Sequence, residues 1–230
     1  MQLSRNAHRA IAAQPPRLRG TIHLAAAIGM VPIGIVAVAV SRPGIHRFAV
    51  AIYVVASVVM LGLSAAMHRR RRDLRGTERW VRLDHTGIYL MIATAVTSVA
   101  LVGMTAPWRN WVIAASWLLA GFGLVVEWLP RATPRGFAHT MFLVNGWLAV
   151  VMVWQLWQLP QVGRDAVAWL LAGGLCYTLG AVVVAVRRPD PWPAVFGYHE
   201  IWHAMVVIAV LCHLWLITVV LAQGIDLAPA

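Results

Sequence analysis

Charged residues are scarce in this chain. Asp, Glu and Arg together make up 12% of its 230 residues, and lysine is absent. A soluble domain of this length needs far more polar surface, so the composition excludes that class of protein. Because hydrophobic residues make up 60% of the sequence, we expect the chain to reside in a lipid bilayer.

Cysteine is rarer still. Only Cys176 and Cys212 occur, and both fall inside apolar stretches. We interpret them as small packing residues, with a buried disulfide as the alternative. The first apolar run is long and lacks a small-residue cleavage motif after it, so a cleaved signal peptide is not expected.

Seven apolar runs are each long enough to cross a bilayer core, which takes about 20 helical residues. They cover residues 21–40, 48–68, 85–105, 109–128, 137–157, 166–186 and 200–222. Proline, glycine or arginine residues separate them. The sequence therefore predicts an all-α, seven-transmembrane helical bundle over residues 21–222, with a basic tail at 1–20 and a short tail at 223–230.

The arginines predict the orientation of this bundle. The N-terminal tail and the second, fourth and sixth loops share one side and hold 4, 7, 2 and 2 arginines, which is 15 of the 19. The opposite side has Arg42, Arg47, Arg109 and Arg164. Cytoplasmic loops carry the excess of basic residues, so we expect the N-terminus inside and the C-terminus outside. The net charge of +11 then indicates topology and not a nucleic-acid-binding face.

The same topology brings ionisable residues to one end of the bundle. His68 ends the second run, Asp84 and His85 begin the third, and His199 and His203 begin the seventh. The even-numbered spans end where the odd-numbered spans begin, so all five residues should lie near the cytoplasmic face. Ionisable groups at membrane depth are costly and usually mark function.

Three imidazoles with an open fourth position are a ligand set that suits zinc. Residues four apart share one helix face, which lets His199 and His203 point inward together and puts Ser64 one turn from His68. Asp84 could accept a hydrogen bond from water or act as a general base, and Ser64 could orient that water or an oxyanion. The alternative is that these histidines bond lipid headgroups and that Asp84 is a helix N-cap.

We expect structural roles, and not metal ligation, for the other histidines. We expect a helix-start hydrogen bond for His23 and a packing or supporting role for His85. His213 lies ten residues beyond His203, about 15 Å deeper, which is too far for ligation but suits a cavity lining. His139 has no visible partner in the sequence.

The remaining charged groups need no special role. Glu127 and Glu200 are expected to be solvated or paired with arginine. The run Arg69-Arg70-Arg71-Arg72 is interpreted as a topology determinant that also attracts anionic lipid headgroups.

Four stretches resemble the haemolysin III branch of the progestin and adiponectin receptor superfamily. They are RLRGTIH at 17–23, SAAMH at 64–68, LDHTGIY at 83–89 and FGYHEIWH at 196–203, and CHLW at 212–215 matches a further histidine of the family. The resemblance implies an intramembrane zinc ion near the cytoplasmic face. It implies His68, His199 and His203 as the ligands, with Asp84 and Ser64 reaching the metal through water.

Two positions depart from the pattern of that family. It usually has a Gly-Thr-Tyr-Thr-Pro-like stretch where this chain has residues 93–98, and a tyrosine where this chain has Met67. These departures bear on the shape of the cavity and on substrate handling, and they remove no ligand.

Two functional hypotheses follow. The first is a zinc-dependent hydrolase acting on a lipid amide or ester in a lateral cavity, since related intramembrane zinc proteins include ceramidases. The second is a non-enzymatic sensor or receptor-like regulator with structural zinc. A pore-forming cytolysin is disfavoured because no amphipathic secreted segment is present. The expected partners are membrane lipids and no nucleic acid, and the lysine-free composition favours the plasma membrane of a bacterium.

Overall fold

The computed structural model describes residues 16–69, 74–130, 134 and 136–226. Within these residues seven helices are long and apolar enough to cross a membrane, and no β-strand occurs. The predicted all-α seven-span fold is confirmed. The spans, numbered along the chain, are Thr21–Val40, Ile45–Arg69, Arg75–Gly103, Trp108–Trp128, Phe137–Trp157, Gly163–Val186 and Tyr198–Gln223.

The second, third and seventh spans form the centre of the bundle. Buried residues make up 44% of the apolar part of the second span and 50% of that of the third and the seventh, against 17–28% in the other four. The outer spans direct large apolar side chains such as Ile35, Leu118 and Trp154 outward. Such a surface suits acyl chains, which offer no hydrogen-bond partners.

Polar contacts join the central helices across their interfaces. The Tyr53 hydroxyl donates to the Val210 carbonyl at 2.9 Å, and the Ser98 hydroxyl donates to the Ala49 carbonyl at 2.9 Å. Side-chain hydrogen bonds of this kind help to fix helices against one another where hydrophobic burial alone cannot, because lipid is as apolar as the core.

Two spans depart from a single regular helix. The fifth span consists of two α-helices, Phe137–Trp147 and Val150–Trp157, separated by one turn. The seventh begins as the α-helix Tyr198–Trp215, widens into the π-helix Leu216–Val220 and ends as the α-helix Leu221–Asp226. At the π-helix, Nε2 of the buried His46 lies 2.9 Å from the Ile217 carbonyl oxygen. His46 therefore supports an irregular stretch of backbone that the apolar pattern of the sequence does not predict.

The predicted start of the third span was wrong. Its helix begins at Leu74, ten residues before Asp84, whereas the apolar run in the sequence begins only at residue 85. The added turns pack against the bundle, because Arg82 Nε donates to Glu78 Oε1 at 3.1 Å and its Nη1 donates to the Leu129 carbonyl at 3.1 Å. Asp84 therefore lies inside a helix, and the N-cap alternative for it is excluded.

Several predictions fall on residues outside the described ranges. These are most of the basic tail at 1–20, the last residues of the tail at 223–230 and three of the four arginines in the run after His68. The two cysteines are free thiols, half-buried in the sixth and seventh spans.

Candidate metal centre

Three imidazoles meet at the end of the bundle where the first, third, fifth and seventh spans begin. One ligand-capable nitrogen from each of His68, His199 and His203 lies within 4.8 Å of the other two. The Nε2 atoms of His68 and His199 are 3.2 Å apart. The ring centroid of His203 lies 4.9 Å from that of His68 and 4.6 Å from that of His199. The last turn of the second span and the first two turns of the seventh supply these rings.

A buried glutamate fixes the first turn of the seventh span. Oε2 of Glu200 accepts the backbone N–H of Gly197 at 2.9 Å, and Oε1 accepts Nε–H of Arg19 at 2.6 Å. Glu200 is fully buried, which makes both partners important. Since Glu200 follows His199 directly, these two hydrogen bonds also fix the helix turn that carries two of the three imidazoles. Of the two expectations for Glu200, the arginine pair is the one observed.

The segment before the first span packs against both ligand-bearing helix ends. The backbone N–H of Arg17 donates to the Ala194 carbonyl at 3.0 Å, in the loop that leads into the seventh span. Gly20 has φ +73°, and a Cβ atom there would lie 2.9 Å from the Cβ of His68. Glycine is therefore required at this position both by its backbone conformation and by the approach to His68.

Asp84 and Ser64 lie together beside the three histidines. The Ser64 hydroxyl interacts with the Asp84 carboxylate, and both residues line the same cavity as His68 and His203. Asp84 Oδ1 is buried and has no hydrogen-bond partner in the described part of the chain. A buried carboxylate oxygen normally has a partner, so this atom is suited to a polar group held between Asp84 and the histidines. The carboxylate does not itself join the three-nitrogen group.

One pair of nitrogens in the cluster has the spacing of two ligands on a shared metal ion, and the third nitrogen lies within 4.8 Å of both. Two imidazole nitrogens bound to a tetrahedral ion at about 2.0–2.1 Å lie about 3.3 Å apart, close to the 3.2 Å between His68 and His199. Neutral imidazole suits zinc, copper, iron and nickel, so the ligand type does not by itself select the element. The three-histidine cluster could therefore hold a metal.

A large cavity connects this cluster with the interior of the bundle. Its volume is about 1260 Å³. The cluster, Asp84 and three further histidines line one part of the cavity, and His213 lines another together with apolar side chains such as Val99, Met152 and Leu170. Such a cavity matches a molecule with a polar group and a long apolar tail. The departures from the family pattern fall on its wall, since Met67, Ala95 and Val96 all line it.

A second polar group lies on the wall of this cavity. His85 Nδ1 is 3.0 Å from Glu127 Oε1, and both side chains are largely buried. The ring centroid of His139 lies 6.2 Å from that of His85. The expectation of a solvated or arginine-paired Glu127 was wrong, because its partner is a histidine. The sequence does indicate that the two residues are near each other, because the third span begins and the fourth span ends at the same end of the bundle.

The other two predicted histidines have different surroundings. The expectation of a helix-start hydrogen bond for His23 was wrong, because neither ring nitrogen has a partner among the described residues. Its ring instead stacks on that of His203, with centroids 3.8 Å apart and planes inclined by 16°. His213 lines the cavity as expected, and its Nε2 lies 3.2 Å from the Leu170 carbonyl oxygen.

Comparison with known proteins agrees with this architecture. The profile of the family described as haemolysin-III related matches residues 11–214. Hemolysin-3 of Bacillus cereus is 28% identical over 125 residues, which is 54% of this chain and 53% of that protein. An adiponectin receptor protein of Drosophila melanogaster is 26% identical over 202 residues, 79% of this chain and 45% of the relative.

An ADIPOR-like receptor of Saccharomyces cerevisiae is 25% identical over 179 residues, 66% of this chain and 53% of the relative. The chain spans about half the length of these curated relatives. The family match covers most of the chain, and it falls on a seven-span membrane protein with a three-histidine cluster. The chain belongs to the haemolysin III family, within the progestin and adiponectin receptor superfamily.

Proposed function

We propose that this protein is a zinc-dependent hydrolase that cleaves a lipid amide or ester inside the membrane. The observation that carries the proposal is the position of the three-nitrogen cluster in the polar part of a long cavity, beside a buried carboxylate with an unpaired oxygen. His68, His199 and His203 would hold the ion. When bound, zinc supplies a Lewis acid that polarises a carbonyl and makes water more acidic.

The residues of the chain supply the remaining parts of the reaction. Asp84 Oδ1 accepts the proton of the attacking water and later delivers it to the leaving amine or alcohol. Ser64 holds the Asp84 carboxylate in place through the contact between them. The apolar lining binds the acyl chain and keeps the scissile carbonyl near the three histidines. Membrane lipids are therefore the proposed substrates.

Two variants test this assignment in protein purified into lipid nanodiscs. Wild type should bind one zinc ion per chain and release fatty acid from at least one member of a panel of amides and esters. Asp84→Asn should keep the zinc and lose about 10²–10⁴-fold in turnover, as expected when a general base is removed. His68→Ala should lose both. Turnover that survives chelation, or that is unchanged in Asp84→Asn, contradicts the proposal.

A second candidate function is a receptor-like regulator in which the metal clamps the second span to the seventh. Two observations favour it: the ligands come from these two spans alone, and two of the relatives are named receptors. In that case zinc removal lowers the thermal stability of wild type, while no lipid in the panel is hydrolysed by the zinc-loaded protein. The same nanodisc preparations therefore distinguish the two functions.

We also propose that the arginine-rich end faces the cytoplasm of a bacterial cell. The uneven distribution of arginine supports this orientation. A membrane-impermeant thiol reagent applied to intact cells should label Asn110→Cys, in the exposed first turn of the fourth span, and should not label Arg188→Cys, between the sixth and seventh spans. The reverse labelling pattern would invert the orientation.

A further inference from the structure

We propose that His23 is a positioning residue that fixes the His203 imidazole by ring stacking and so controls how tightly the metal is held. The proposal rests on the metal centre of the proposed function. It assigns a role to a histidine from the first span, which contributes no nitrogen to the three-histidine cluster.

His203 needs an orienting contact that the hydrogen-bond pattern does not supply. A metal-binding imidazole almost always donates its second ring nitrogen to a carboxylate, a backbone carbonyl or water, and this bond sets the direction of the ring. His203 is 1% exposed, yet its Nδ1 has no hydrogen-bond partner among the residues that the structure describes. The protein contact that holds the face of this ring is the stack on His23, 3.8 Å between centroids and nearly parallel.

His23 has no competing polar assignment. It is 3% exposed, and neither of its ring nitrogens makes a well-formed hydrogen bond in the described part of the chain. It makes a looser polar approach to the backbone of His203, the same residue that it stacks on. Burial of two unpaired nitrogens is costly, so a histidine is not retained here for its hydrogen bonds. The property it uses is a flat ring of the right size against the face of His203.

The stacking ring is held by a segment attached to both ligand-bearing helices. Arg19 Nε donates to Glu200 on the seventh span at 2.6 Å, and Arg69 Nη1, at the end of the second span, donates to Thr21 Oγ1 at 3.1 Å. His23 follows these anchors by two to four residues. The ring therefore has a fixed frame from which to position His203.

The proposal is tested by substitutions that distinguish the effect of the His23 ring from the effect of its two nitrogens. Zinc affinity and zinc release rate are measured by competition with a chelator, on full-length protein in nanodiscs and without any lipid substrate. His23→Phe keeps a stacking ring and removes both nitrogens, so it should stay within about threefold of wild type. His23→Ala and His23→Gln remove the ring and should weaken zinc binding by about 10–100-fold, the range found when an orienting group behind a ligand is lost.

Each outcome decides the question. His23→Phe as weak as His23→Ala would mean that a nitrogen is required, and His23→Ala as tight as wild type would mean that the stack is irrelevant; either result overturns the proposal. His23→Gln keeps a polar side chain and preserves the test if His23→Ala does not fold. His139→Ala, which removes another histidine of the cavity wall, is the control and should bind zinc like wild type.

Two further proteins show whether the metal centre itself exists, independently of the role of His23. If wild type binds no zinc, or if His203→Ala binds zinc as tightly as wild type, the proposed function fails and the role of His23 fails with it. If those two proteins behave as expected and only the His23 series departs, the positioning role alone is refuted.

Discussion

The guanidinium of Arg19 donates to the carboxylate of Glu200 across 2.6 Å and joins the segment before the first span to the first turn of the seventh. Glu200 is fully buried, and Arg19 retains 19% of its side-chain exposure. This pair lies one residue from His199. Arg19 thus anchors the three-histidine cluster although it lies outside the two helices that carry the histidines.

Removing the guanidinium should destabilise the protein and loosen the metal. Arg19→Ala leaves the Glu200 carboxylate buried with the Gly197 N–H alone, and breaking such a pair costs about 3–5 kcal/mol. We expect a loss at the lower end of this range, because Arg19 is partly exposed, together with faster zinc release. Thermal unfolding and chelator competition measure the two effects.

Arg109→Ala is the matched control for that variant. Its guanidinium bonds the neighbouring, exposed Asn110 at 3.3 Å, and surface contacts of this kind contribute within about 0.5 kcal/mol. Equal stability losses in the two arginine variants would show that the pair with Glu200 has no special role.

Gly20 and Gly44 form a matched pair for testing the approach to His68. Both have positive φ, +73° and +85°, so alanine at either position costs about 1–2 kcal/mol of backbone strain. A Cβ at Gly20 would also press on the Cβ of His68, whereas a Cβ at Gly44 meets nothing within 4 Å. We therefore expect Gly20→Ala to lower zinc affinity and Gly44→Ala to leave it unchanged.

Thermal unfolding should report the backbone strain in both glycine variants, with a larger loss in Gly20→Ala from the added contact, and a zinc titration should separate them. Zinc affinity that falls equally in both would mean that backbone strain, and not the contact with His68, disturbs the cluster.

The meeting of His68, His199 and His203 could be expected from the sequence because it depends on direction alone. Once the spans are counted, even-numbered spans end where odd-numbered spans begin, so these histidines must share one end of the bundle. The stack of His23 on His203 could not be expected in this way. The two residues are far apart in sequence, and spacing within one helix says nothing about which faces of different helices touch.

Features that depend on packing between helices could not be predicted from the sequence either. The helix before Asp84 is too polar to register as a membrane run, and its stability comes from contacts such as Arg82 with the Leu129 carbonyl. The sequence predicts a solvated or arginine-paired Glu127, because hydropathy records how polar a residue is and not what it faces. The π-helix in the seventh span leaves the apolar pattern uniform, so no periodicity revealed it.

The pair of His85 with Glu127 should support the fold without holding the metal. Glu127→Leu leaves the His85 Nδ1 without its acceptor, and an unpaired buried donor costs about 1–3 kcal/mol. Glu127→Gln keeps an amide oxygen that can accept the same hydrogen bond, so its loss of stability should be smaller. Both variants should bind zinc like wild type in a chelator competition, and zinc loss from either would place this pair in the metal centre.

Zinc itself should stabilise the folded protein in a concentration-dependent way. A ligand that binds only the native state adds about 2.7 kcal/mol when its free concentration is 100 times its Kd. Metal-free wild type should therefore unfold at a rising temperature as zinc is titrated in. His68→Ala should lose this response because one of three ligands is gone, whereas Asp84→Asn should keep most of it because the carboxylate lies outside the three-nitrogen group. An undiminished response in His68→Ala would mean that zinc acts elsewhere on the protein, since removing one of three nitrogens from a shared ion cannot leave its affinity unaltered.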